Sequence, residues 1–214
     1  MAVRPVFLPV EDGPLLVEER NFEFTWAPGF SETQKKKNVS ALHDAARRSG
    51  IGRLLEISTK SEIELGRRLS AFSLKINVEG RMLPLESVYQ SAKEFRESGP
   101  FLEIMDMPPR DAKRFIRENG KGDLIGFRFL GQNFPLWPKN AFYDWLYIRA
   151  LLPHNEWIKE KVLYDGFTDI EFNPQKQVNC QARAFAEYVS MQRKSLLMKA
   201  ADDFRYFSSL CAAI

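Results

Sequence analysis

Cysteine and histidine are scarce in this chain of 214 residues, with two of each. Cys180 and Cys211 cannot build a disulfide framework, which fits a reducing compartment. Four such residues, far apart in sequence, argue against a structural zinc site. His43 lies in a basic stretch and His154 follows Pro153, and neither spacing assigns an acid–base role. Chemistry then falls to carboxylates, hydroxyls, Lys and Arg, with no metal expected. No run of 18 apolar residues is present, so no membrane-spanning helix and no membrane partner is expected. Met1–Pro9 lacks the apolar core of a signal peptide and runs at once into Glu11 and Asp12, so a cytoplasmic protein is expected. Missing too are GxGxxG after a strand, GxxxxGK followed by Ser or Thr, GxSxG and HExxH. The net charge of +3 does not by itself announce a nucleic-acid binder. Local basic runs do exist, at Lys35–Lys37, Arg47–Arg48, Arg67–Arg68 and Arg110–Arg117. They read first as solvated helix faces.

What is present is an ordinary globular composition, 44% hydrophobic and 28% charged, long enough for one sizeable core. With 17 Phe, that core and its pockets should be built largely from rings. No repeat, low-complexity segment or linker divides the chain. The expectation is therefore one α+β domain over 1–214, mostly helical around a small mixed sheet. Within it, 1–52 supplies N-terminal strands and a helix, 53–198 the core, and 199–214 a tail helix. Arg4–Pro9 and Leu16–Trp26 read as strands, then Ser31–Ser49 as a helix stopped by Gly50. Arg53–Ser58 reads as a strand, and Ser61 to Glu64 as a capping box whose helix ends near Gly66. Ser73–Val78 and Arg81–Leu83 form a hairpin about Glu79-Gly80. Helices follow at Leu85–Arg96, Pro109–Asn119, Asn140–Leu152, Glu156–Tyr164 and Val178–Met198. Strands are expected at Leu124–Leu130 and Phe167–Phe172, and a last helix, partly mobile, at Asp202–Ile214.

Four segments could carry chemistry. In Leu85–Arg96, Glu86, Gln90 and Lys93 fall at i, i+4 and i+7 beside Tyr89, a row suited to a polar ligand. The plainer account of Glu86 is charge compensation in a first helical turn. Trp137 precedes the aromatic helix holding Phe142, Tyr143, Trp145 and Tyr147, where it could stack on a flat ring or simply sit in the core. In Gly166–Glu171, alternation would put Phe167, Asp169 and Glu171 on one side of a strand. Two carboxylates there could activate water or steady positive charge on a ribose, or belong to a surface edge strand. Ser70 and Phe72, after Arg67-Arg68, suit a sugar–phosphate contact.

Together these segments resemble the NADAR family, named for a proposed link to NAD and ADP-ribose. Its order of a Leu-Ser-x-Phe loop, a hairpin, a Glu-x-x-Tyr/Phe-Gln-x-x-Lys helix, a Trp before a second helix and an acidic strand is matched here. The matching residues are Leu69–Phe72, Glu86 with Gln90 and Lys93, Trp137, and Asp169. The stretches LLEISTKSEIELGRRLSAF, WPKNAFYDWLY and FTDIEFNPQKQVNCQARA resemble most a subgroup found beside DNA-targeting ADP-ribosyltransferase toxins. The resemblance implies a NADAR-like domain and a metal-independent N-glycosyl hydrolase without cofactor, with ADP-ribose as ligand and product. It would act as an antitoxin, removing ADP-ribose from guanine in DNA that is single-stranded or has the base flipped out. A cognate toxin is the implied protein partner. The catalytic positions carried over are Glu86, Trp137 and Asp169, with Glu171 a rival to Asp169. Lys60, Arg68, Ser70, Phe72, Tyr89, Gln90, Lys93 and Tyr143 would bind substrate. Arg110, Lys113, Arg114 and Arg117 offer a path for DNA. The chain departs from the family where Leu83-Pro84 replaces an aromatic-Pro pair, and where FTDIEFNP replaces the Trp-Gly segment of riboflavin-linked members. The alternatives are an N-glycosidase of riboflavin-pathway intermediates, or a protein that binds ADP-ribose or sequesters a toxin without turnover.

Overall fold

A long hairpin begins the chain. Strand β1 (Ala2–Pro9) pairs antiparallel with β2 (Val17–Phe24), from Ala2 opposite Phe24 to Pro9 opposite Val17. The computed structural model describes residues 1–212. Helix α1 (Glu32–Arg48) starts where expected, because the Ser31 hydroxyl accepts from the Gln34 N–H at 3.2 Å. Its Val39, Leu42 and Ala46, at helical spacing, pack on Val6, Phe24, Leu54 and Ile170. The sheet beneath has the order β2-β1-β9-β3, with β3 at Leu54–Glu56 and β9 at Gly166–Thr168. β9 runs antiparallel to β1 and parallel to β3, so the sheet is mixed.

The remaining elements enclose the second and larger core. They are α2 (Glu64–Arg68), a hairpin of β4 (Lys75–Val78) and β5 (Arg81–Pro84), α3 (Leu85–Ser91), β6 (Lys93–Phe95) and α4 (Pro109–Asn119). Next come β7 (Leu124–Phe129), β8 (Gln132–Phe134), α5 (Ala141–Leu151), α6 (Asn155–Lys161), α7 (Gln181–Arg193), α8 (Leu197–Asp202) and α9 (Phe204–Cys211). Glu79 and Gly80 both take positive φ, 50° and 84°, as a tight hairpin turn requires. Helix α5 is buried on all sides save Arg149, as a helix apolar around its circumference must be. The fold is α+β, with helices on both faces of the mixed sheet and two small antiparallel sheets beside it.

Several elements differ from the sequence expectation. The capping box fails: Ile63, extended and without a side-chain cap bond, precedes α2. Gly66 does not end that helix. It lies against the Glu56 carbonyl, where a Cβ would come within 2.0 Å, so the close approach explains the glycine. The expected Leu85–Arg96 helix stops at Ser91, because Lys93–Phe95 leaves to pair with β7 and the Arg128 N–H donates to the Ala92 carbonyl at 2.7 Å. The expected Phe167–Phe172 strand stops at Thr168. There the Glu171 N–H donates to Asp169 Oδ1 and the Phe172 N–H to the Asp169 carbonyl, closing a turn that breaks the alternation. The single long helix over Val178–Met198 is two, α7 and α8, separated at Ser195 with φ 58°. Strand β8 was not foreseen. The tail helix is α9, capped by Asp203, and Ala213 and Ile214 of the expected helix lie outside the described residues.

Candidate functional site

A cavity of about 230 Å³ opens where α3, α4, α5 and the segment after β9 meet. Its floor is acidic. Glu86, in the first turn of α3, accepts from the Tyr143 hydroxyl at 3.1 Å. Removal from water pushes the Glu86 carboxyl up, against the opposing pull of Tyr143, Lys113, Lys93 and Gln90. Lys93 begins β6, just past the end of the helix that was to carry it, yet still lines the cavity. Burial lowers its ammonium to about 8, with Glu86 resisting and Lys113 assisting. Its Nζ sits 5.0 Å from the centre of the Tyr89 ring. Gln90 is 5% exposed and its Oε1 has no hydrogen-bond partner among the described residues, so an acceptor waits in the wall.

Asp169 supplies the opposite side and is 8% exposed. Burial raises its carboxyl, aided by the charge of Glu171, while Gln181 and the backbone N–H groups of Glu171 and Phe172 pull it down. Gln181 is a bracket. Its Oε1 accepts from the Ser70 hydroxyl at 3.2 Å and from the Ala71 N–H at 2.8 Å, tying the Leu69–Phe72 loop to the wall beside Asp169. Glu171 is exposed at the rim and pairs with Lys35 at 3.1 Å. Ring surfaces come from Phe72, half-exposed at the mouth, and from Tyr89, Tyr143 and Phe172. The Tyr89 hydroxyl accepts from Asn179 at 2.7 Å. Among the described residues no group of three or more His, Cys, Asp or Glu is placed to hold a metal ion.

The profile of the DarT1-associated NADAR antitoxins matches residues 2–214. The chain belongs to that family. No curated protein matches it.

In this NADAR antitoxin the residues singled out from sequence divide into two groups. Glu86, Asp169, Phe72, Tyr89, Gln90, Lys93, Tyr143 and Glu171 line one cavity. Ser70 stands behind its wall, fully buried, as a donor to Gln181. Trp137 is placed elsewhere: it is 68% exposed and lines a separate cleft with Phe7, Arg183 and Cys211. The reason is its position ahead of α5. The first turn of that helix turns Tyr143 toward Glu86, while the loop before it runs along another side. Lys60 is also outside the lining and gives its backbone N–H to Ser58. The Arg68 guanidinium stacks on Trp157, 4.3 Å from the ring centre, rather than reaching the cavity.

Lys113, Phe172, Gln177, Val178, Asn179 and Gln181 were missed as lining residues. Lys113 was read only as one of a basic row on α4. The segment from Gln177 to Gln181 looked like a helix start, and no local pattern marks a loop folded over a site. A larger cleft of about 1000 Å³ between β8 and α9 contains Arg149, Asp202, Asp203 and Arg205. It gathers no cluster of buried carboxyls, and the smaller cavity is the better candidate on chemistry.

Proposed function

We propose that this NADAR antitoxin hydrolyses the N-glycosidic bond between ADP-ribose and guanine in DNA, reversing the mark left by a guanine-specific DNA ADP-ribosyltransferase. The observation that carries the reading is the convergence of Glu86 and Asp169, both raised by burial, on one cavity that also holds Lys93 and Lys113. Cleavage of a C1″–N bond builds oxocarbenium character on the ribose, which needs a carboxylate nearby and a base for water. Glu86 takes the ribose hydroxyls or draws the proton from water. Asp169 faces the developing cation or orients that water. The water oxygen bonds to C1″, and the departing guanine nitrogen takes up a proton. Glu171, paired with Lys35 at the rim, is the weaker claimant to the second role.

The cavity lies below the ~300 Å³ low end of small-molecule pockets, so it suits a ribose with one flat group rather than a whole ADP-ribosyl nucleotide. The remainder would lie outside, with the diphosphate beside Lys93 and Lys113 and a ring against Phe72. The base must be unpaired to enter. Lys113 faces the cavity from α4, whose exposed Arg110 continues the basic row outward. Arg114 and Arg117 on the same helix are paired with Asp111 and Glu118, which narrows the basic path to Arg110 and Lys113.

The test is incubation of the purified protein, without added metal, with single-stranded DNA carrying ADP-ribosyl-guanine. Release of ADP-ribose is followed by mass spectrometry, with Glu86→Gln alongside. Release by the wild type and not by the variant supports the hydrolase. Tight ADP-ribose binding without release by either would replace it with a binding or toxin-sequestering antitoxin. Neither binding nor release would turn attention to riboflavin-pathway intermediates.

A further inference from the structure

Asp169 lies one residue past the end of a strand ladder, where a turn would ordinarily be free to swing. It is held from behind by Glu56, the last residue of β3, which is 2% exposed and does not line the cavity. Glu56 Oε2 accepts from the Thr168 hydroxyl at 2.6 Å, and Oε1 accepts from the Ile170 N–H at 2.8 Å. These donors belong to the residues immediately before and after Asp169. The Ser58 hydroxyl donates to the same Oε1 at 2.6 Å. Beyond Thr168, His43 Nε2 meets Oγ1 at 2.8 Å. The Thr168 proton points to Glu56, so the imidazole is the donor in that contact.

Sheet formation does not call for this arrangement. The β3–β9 ladder ends with Glu56 opposite Thr168, a fully buried position where an apolar residue would be the ordinary choice. A carboxyl is instead placed where it receives three hydrogen bonds, two of them from the neighbours of one cavity residue.

We propose that Glu56 is a positioning residue that clamps Thr168 and Ile170 and thereby holds the Asp169 side chain in the cavity. The inference rests on the reading of Asp169 given under Proposed function. Glu56 acts through the backbone on either side of Asp169.

The surrounding groups fit this role. Glu171 and Gln181 act directly on Asp169, and Tyr147 of α5 and Cys180 sense its charge. From α1, Lys35 holds Glu171, and His43 is kept neutral by burial. Burial, and then the charge of Asp169, push the Glu56 carboxyl up. Glutamine keeps the shape of the side chain and two of its three contacts: the amide oxygen can accept from Ile170 and Ser58. The amide nitrogen can donate to Thr168, whose hydroxyl then turns to His43.

The experiment combines a carbon-13 carboxyl NMR titration of Asp169 in the full chain with the ADP-ribose release assay. The variants are Glu56→Ala, Glu56→Gln, Thr168→Val and Thr168→Ser. Ala at 56 and Val at 168 are expected to let Asp169 move toward water, lowering its titration midpoint by about one unit or more. They should also cut kcat by about thirtyfold, with KM changed by less than about threefold. Gln at 56 and Ser at 168 should restore the Asp169 midpoint and recover most of the lost kcat. Val at 168 keeps the volume of Thr, so it decides the matter if Ala at 56 does not fold. An Asp169 midpoint unmoved by Thr168→Val overturns the clamp, as does a folded Glu56→Gln protein that matches Glu56→Ala in both readouts. If the wild type releases no ADP-ribose, the hydrolase reading fails, and the titration still decides whether Glu56 positions Asp169.

Discussion

Two pairs of carboxyls raised by burial lie around α5, and they have different fates. Tyr143 on that helix donates to Glu86 in the open cavity, while its neighbour Asp144 faces Glu187 in a sealed interior. Both pairs are raised by burial. Asp144 and Glu187 are each 0% exposed and share one cation, Arg183, which donates to Glu187 at 3.0 Å and lies 3.9 Å from Asp144. Three of their oxygens find no donor among the described residues, and burial, then the charge of Glu187, push the Asp144 carboxyl well up. Burial and mutual repulsion thus favour the protonated form of the pair, against the pull of Arg183. Among the described residues, Glu86 and Asp169 make no salt bridge; the lysines that bear on Glu86 also line its cavity. A shifted carboxyl is thus not enough to mark a working site. What distinguishes the cavity from the sealed pair is its opening, with Glu86 and Asp169 both on its lining.

The largest expected effect is at Glu86. Glu86→Gln should lower kcat by roughly 10³-fold while leaving ADP-ribose binding and the thermal melt near wild type. An intact turnover number would remove the cavity's claim. On the sealed side, Arg183→Met should cost roughly 3 kcal/mol of stability in urea melts at pH 8. Loss of the cation raises the folded-state pKa of both carboxyls further, so the deficit should shrink as pH falls and the folded carboxyls take up protons. Release of ADP-ribose per folded molecule should be retained; its loss would make the sealed pair part of the site.

His43 gives an effect of similar size that also fades as pH falls. Burial, assisted by Arg47, depresses its imidazole to about 4. Its stabilising share is therefore present above the unfolded value near 6.5 and lost as pH falls through about 4. The stability gap between wild type and His43→Gln should narrow by roughly 3 kcal/mol from pH 7 to pH 4. A gap that does not change with pH would mean that the imidazole is not held neutral. The smallest effect is expected at Trp137. Truncation to Ala of this exposed ring should change ADP-ribose release by no more than about threefold. A collapse of activity would bring the Trp137 cleft into the site and erase the division drawn above.

Much of the site could be read from sequence because its residues lie in short, chemically distinctive stretches. Glu86, Tyr89, Gln90 and Lys93 were found together although the helix that grouped them ends at Ser91. Lys93 reaches the same cavity from a strand, so proximity in sequence did the work attributed to helical spacing. Asp169 was chosen on an alternation that fails, since a turn rather than a strand presents it. Lys113 and Gln181 were not legible, because only the tertiary fold brings α4 and the start of α7 against α3. The capping box at Ser61 failed for a related reason. Gly66 had to approach the Glu56 carbonyl, and that contact lies outside any local pattern. Trp137 shows the limit of carrying a position by order along the chain: the residue type matches and the side chain is in another cleft.

The order of strands in the mixed sheet has a consequence for synthesis. β9 is the last strand made, yet it lies between β1 and β3, which are among the first. While the ribosome is still working on the first 160 or so residues, β3 has no partner in this sheet, and β1 is paired on one edge only. Pairings this distant in sequence close slowly, and they expose unpaired edges meanwhile. The same late segment brings Asp169 and Gln181, without which the Leu69–Phe72 loop has no bracket. A chain stopped before β9 therefore lacks both a middle strand of this sheet and one side of the cavity.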